Sequence, residues 1–155
     1  MRNIEKIITE FKEINFHDGF MRKMDIIPPK ELHNCDMSQY AIRFDLTLWD
    51  RNFKEIYNAI IQFIDVANIN MNVDFDVFSD NGDYQIQGAS VESYKKSDDN
   101  IVEDCYPKWN IEYSEDMDTP VKYKIENKHK YALFTIELFG GEIKILAKDI
   151  KIVKK

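Results

Sequence analysis

The stretch Tyr40-Ala41-Ile42-Arg43-Phe44-Asp45-Leu46-Thr47-Leu48-Trp49 decides the fold class. Tyr40, Ile42, Phe44, Leu46 and Leu48 fall on one parity and Ala41, Arg43, Asp45, Thr47 and Trp49 on the other, so a strand here has one apolar face and one mixed face. Such one-sided alternation belongs to an antiparallel sheet covered on a single side, whereas strands buried on both faces read as near-continuous apolar runs.

Toward the N-terminus, Ile4, Ile7, Ile8, Phe11 and Ile14 recur at the spacing that places them on one stripe of a helix, predicted over 2–14. Asn15 is a suitable stop, because Asn tolerates the left-handed conformation that closes many helices. Phe20, Met24 and Ile26 then share one parity of a strand over 18–27, which Pro28-Pro29 ends by removing two backbone donors. The polar, aperiodic segment 30–39 reads as a loop.

Toward the C-terminus, segment 53–66 is ambiguous. Phe53, Ile56, Tyr57, Ile60, Ile61 and Ile64 fit a helical stripe, and Ala59, Ile61 and Phe63 fit a strand. Its β-branched and aromatic content and the strands around it favour the strand. Strict alternation continues from Ile69 to Val77, and Asn81-Gly82 predicts a hairpin whose return strand runs over 84–94. Residues 95–120 are the most polar part of the chain, a long excursion with a short strand at 111–113. Val121, Tyr123 and Ile125 suggest a further strand. Ala132, Phe134, Ile136 and Leu138 alternate up to Gly140-Gly141, beyond which Ile143, Ile145, Ile150 and Ile152 form the second arm of another hairpin. The expectation is one α+β domain over 1–155, with an N-terminal helix packed on a mostly antiparallel sheet, a meander of about six strands.

A net charge of -7 and a pI near 5.0 argue against nucleic acid as a partner, since phosphate binding relies on clustered Lys and Arg. The same charge suits a basic protein partner. No apolar run approaches a membrane span. Met1-Arg2-Asn3-Ile4-Glu5-Lys6 is not a secretory signal, so the expected compartment is the cytoplasm, where Cys35 and Cys105 are free thiols.

Little in the chain suggests catalysis. His17 beside Asp18 has the chemistry of an acid–base pair, but neighbours in extended chain face opposite ways, and the plainer expectation is that one of them anchors the helix-to-strand junction through backbone hydrogen bonds. His33, Cys35 and Asp36 could ligate zinc, yet no second ligand pair completes a tetrahedral site, and His129 between two lysines reads as solvated. Asp74, Asp76, Asp80 and Asp83 lack the register of a calcium loop. Glycine-built phosphate loops and nucleophile elbows are missing, so neither a cofactor nor a metal is expected. The candidate partner-binding residues are Trp49, Trp109 and Tyr106, with burial in the core as the alternative, and the acidic Asp98, Asp99, Glu115, Asp116 and Asp118.

The order of features, a short amphipathic helix, then Phe16-His17-Asp18, a strand, an alternating strand ending at Trp49, and Ile61-Gln62-Phe63-Ile64-Asp65-Val66, resembles small bacterial domains with an aromatic-His-Asp motif. Some of these are immunity proteins of polymorphic toxin systems. The resemblance covers about the first 95 residues and the final hairpin. It implies a non-enzymatic module that occludes a basic toxin, and gives Phe16, His17 and Asp18 a structural role at the junction. The alternative expectation is a small-ligand or hydrolytic site near His17 and Asp18.

Overall fold

The computed structural model describes residues 2–29, 40–74, 84–94, 112–113, 120–121 and 131–155. In chain order these hold α1 (Ile4–Lys12), β1 (Phe20–Ile27), β2 (Tyr40–Trp49), β3 (Ile56–Val73), β4 (Tyr84–Ser93), β5 (Glu112–Tyr113), β6 (Pro120–Val121), β7 (Ala132–Leu138) and β8 (Gly141–Lys154). The ambiguous segment after Trp49 is therefore strand, and it continues through the alternation predicted up to Val73. Six strands close into an antiparallel barrel in the order β1-β2-β3-β8-β7-β4, while β5 and β6 pair only with each other.

The barrel corrects the expected meander. β3 lies between β2 and β8, so both its edges are taken, and β4 pairs instead with β7 and β1. The strands flanking Asn81-Gly82 thus do not form a hairpin with each other; residues 75–83, including that turn, are outside the described residues, as are 30–39 and 122–130. The Gly140-Gly141 hairpin is present, with Leu138 opposite Gly141 and Gly140 at φ 107°. Gly141 is required by a close approach, because a Cβ there would collide with the Asn72 carbonyl on β3.

Strand alternation fills the interior. Ile42, Phe44, Leu46 and Leu48 of β2 are buried as their parity demands, whereas Tyr40 is exposed. They meet Ala59, Ile61 and Phe63 of β3, Phe134, Ile136 and Leu138 of β7, and Ile143, Ile145, Ala147 and Ile150 of β8. In β8 the inward positions pass from odd to even beyond Ala147. In β3, Asp65 takes a left-handed φ of 52° and the register to β8 shifts between Val66 and Asn68. That irregularity carries inward parity from Phe63 to Val66 and on to Ile69, as a bulge does.

α1 begins at Asn3, whose backbone is extended and whose side chain accepts the Glu5 N–H at 3.0 Å. It stops at Glu13 with right-handed geometry, so Asn15 does not end it by a left-handed turn. Asn15 acts through its side chain, accepting the His17 N–H at 3.2 Å and donating to the Asp50 carbonyl at 3.1 Å. The buried stripe is Ile7 and Phe11. Phe11 places its ring 5.0 Å from Phe134 and 6.4 Å from Phe63, which itself stacks edge-on with Phe44 and Phe134. Arg2 fastens the start of α1 to the barrel, bonding the Asp149 carboxylate, the Glu10 carboxylate and the Ile150 carbonyl. The helix is thus part of the barrel core, which fixes where the chain enters β1. No helix among the described residues is long and apolar enough to cross a membrane.

Candidate functional site

The junction between α1 and β1 divides the Phe16-His17-Asp18 motif in two. Phe16 turns inward, buried, with its ring 4.8 Å from Phe11. His17 and Asp18 turn outward, with side chains 64% and 50% exposed. Contrary to the expectation for extended neighbours, they meet: His17 Nδ1 lies 3.0 Å from Asp18 Oδ2. The reason is local. Asp18 has φ 60°, a left-handed conformation that breaks the alternation and that Asp accepts more readily than most residues. The other oxygen, Asp18 Oδ1, accepts from Gln85 Nε2 of β4 at 3.1 Å.

The backbone holds this turn independently. Asp18 N–H donates to the Ile86 carbonyl, Ile86 N–H donates to the Gly19 carbonyl, and Gly19 N–H donates to the Phe16 carbonyl. The expected anchoring of the junction by a side chain on backbone is therefore supplied by Asn15. Gly19 fits tightly, since a Cβ there would sit 2.8 Å from Leu48 Cδ2.

The β2–β3 turn comes up beside the motif. Asp50 organises it: Oδ1 accepts the N–H groups of Lys54 at 2.6 Å and Glu55 at 3.2 Å, while its carbonyl accepts those of Phe53 and the Asn15 amide. Arg51 Nε donates to the Glu13 carbonyl at 3.2 Å, tying the turn to the end of α1. Phe53 sits at the tip with φ 54°, half exposed. Its ring lies 6.2 Å from His17, edge-on, and 6.4 Å from Trp49. Trp49 is half-buried, and its cross-strand partner Ile56 is 58% exposed. One end of the barrel therefore displays a row of His17, Phe53 and Trp49, with Ile56 beside it. Next to it, burial and then the charge of Asp50 raise the Tyr57 hydroxyl above the ordinary tyrosine range, and Lys154 Nζ lies 4.8 Å over its ring.

Of the residues singled out in the sequence, Phe16, His17, Asp18 and Trp49 are gathered at this end. Asp98, Asp99, Trp109, Glu115, Asp116 and Asp118 lie outside the described residues, as do Tyr106, His33, Cys35, Asp36, Cys105 and His129. Gln85, Asp50 and Phe53 were not anticipated. Phe53 had a readable signal, a single aromatic between Arg51-Asn52 and Lys54-Glu55 in a polar turn. No group of three or more potential metal ligands occurs among the described residues.

The acidic stretch has defined roots. Tyr94 N–H donates to the Tyr131 carbonyl at 3.0 Å where the chain leaves β4 and rejoins β7. Around them Tyr94, Tyr131, Leu133 and Leu146 form a second buried cluster on the outward face, with Lys148 Nζ 5.3 Å over the Tyr131 ring. Between 98 and 118 the sequence carries eight carboxylates against the single Lys108, so the rest of the chain, with twenty residues of each sign, is neutral. The acidic run 98–118 thus lies within one insertion between two adjacent strands, where Lys95, Lys96, Lys122, Lys124, Lys128 and Lys130 flank it. No protein-family model, no curated protein and no solved structure matches this chain.

Proposed function

We propose that this chain is a non-enzymatic protein-binding module for a basic partner, and that the partner is a bacterial toxin which it neutralises as a cytoplasmic immunity protein. The observation that carries the reading is the concentration of eight carboxylates against one lysine in residues 98–118, within the insertion between β4 and β7 of a barrel whose interior is packed with side chains. A packed frame with a dense run of carboxylates suits electrostatic steering of an oppositely charged protein, where association rates rise with complementarity and fall with salt. The Phe16-His17-Asp18 resemblance supports toxin immunity within that class. Asp98, Asp99, Glu115, Asp116 and Asp118 would carry the attraction, with Trp109 as an apolar anchor. The test is co-expression with a basic toxin encoded directly upstream: rescue of growth together with a stable purified complex supports the reading, and a toxin that remains free and lethal refutes it.

The contact series His17–Asp18–Gln85 favours a second reading, a hydrolytic site. Asp18 would hold the imidazole by Nδ1 and leave Nε2 as a general base, the orienting role a carboxylate plays in catalytic triads. The exposure of both side chains weakens it, because water competes for such pairs. Loss of a hydrolytic activity in His17→Ala, with its melting temperature unchanged, would support this reading.

A further inference from the structure

The His17–Phe53–Trp49 row has features that a solvated turn does not need. Phe53 holds a bulky aromatic in left-handed backbone, a conformation that costs a non-glycine residue about 1–3 kcal/mol and that persists only where the surroundings impose it. Here they do: the Asp50 side chain and carbonyl fix both limbs of the turn, and Asn15 and Arg51 fix the turn to the α1 end. The ring so held is not buried. It stands half exposed between the His17 imidazole and Trp49. An aromatic pre-positioned in this way binds without losing the rotamer and loop entropy that a flexible side chain would lose.

We propose that this row is a docking surface for an arginine side chain of the basic partner, with the guanidinium stacked on the Phe53 ring and hydrogen-bonded to the Asp18 carboxylate. This rests on the reading of a basic partner and adds a second contact remote in sequence from residues 98–118. Chemical complementarity selects guanidinium over other groups: a planar cation matches a ring face and a carboxylate together. Asp18 Oδ1 accepts one hydrogen bond, from Gln85, and Oδ2 lies 3.0 Å from His17 Nδ1; a carboxylate offers about four lone-pair sites, so both oxygens retain acceptor capacity. Among the other charges at this end Asp50, Glu13 and Glu55 offset Arg51, Lys12 and Lys54, and Lys154 and Lys155 at the end of β8 add positive charge beside Tyr57 and Asn58. Asp50 spends Oδ1 on the turn and Arg51 its Nε on Glu13, while Lys12, Glu13, Lys54 and Glu55 are exposed. Local attraction therefore depends on the ring and Asp18 more than on net charge.

The experiment is a heteronuclear NMR titration of the full chain with a short tri-arginine peptide, and a tri-glutamate peptide as control. The expected result is shifts at the Trp49 indole N–H and the His17 and Phe53 backbone amides, with binding to this end weakened roughly threefold by Phe53→Ala, the size of an exposed cation–π contact. Asp18→Asn should weaken it as well, and the amide spectrum away from the turn should show both variants folded. Shifts confined to 98–118 and indifferent to Phe53→Ala would overturn this surface while leaving the basic-partner reading intact. No shift anywhere would overturn this surface and count against that reading too.

Discussion

At the residue scale, three positions carry more information than any composition. Phe53 holds its strained conformation without burial, so Phe53→Gly should leave stability unchanged or raise it by up to about 1 kcal/mol, since glycine adopts positive φ freely. Denaturant unfolding checks this, and a clear loss would mean that the ring is structural. Gly141 is the opposite case: Gly141→Ala drives a methyl group into the Asn72 backbone and should destabilise by at least about 2 kcal/mol. Tyr57 supplies the pH dependence. Burial and Asp50 raise its hydroxyl, so the neutral form is favoured in the folded state. Its contribution is complete below the ordinary tyrosine pKa of about 10 and is lost as pH rises through the higher folded value. Melting temperatures of the native chain should therefore fall more steeply than those of Tyr57→Phe as pH rises above that range, while the two coincide near neutrality.

At the scale of elements, α1 belongs to the barrel core through Phe11 rather than covering it from outside. Phe134→Ala removes the ring that contacts both Phe11 and Phe63 and should cost about 3–5 kcal/mol, which equilibrium denaturation reads directly. The elements were largely legible in the sequence. Alternation at 40–49 and 132–138 reports burial on one face, which is a local property, and the resulting strands run over Tyr40–Trp49 and Ala132–Leu138. Strand identity in segment 53–66 followed from β-branched content, where periodicity alone pointed to helix. What was not legible is partner choice. One-sided alternation is the same in an open sheet and in a barrel, and Asn81-Gly82 encodes a turn without naming the strand that β4 meets. β3 needs partners along 18 residues, and β8, with 14, matches most of its length. The meeting of His17 with Asp18 was hidden for a related reason, since it depends on one left-handed φ that Asp permits but does not require.

At the scale of the molecule, a packed barrel carries an acidic run at 98–118, and the motif row is built from residues 16–18 and 49–53, remote from that run in sequence. Charge in the insertion should govern how fast a basic partner arrives, and the aromatic row how long it stays, because steering acts on association and desolvated contacts act on dissociation. Stopped-flow measurements with that partner should show association slowing with salt for the native chain, and Phe53→Ala changing mainly the dissociation rate. The most direct test of the central claim is calorimetric titration of the basic toxin into the native chain and into a variant with Asp98, Asp99, Glu115, Asp116 and Asp118 changed to their amides, each at low and high salt. The account predicts that the native chain binds tightly and loses affinity with salt, and that the variant binds at least about tenfold more weakly with little salt dependence. Equal affinity and equal salt dependence for the two proteins would contradict it.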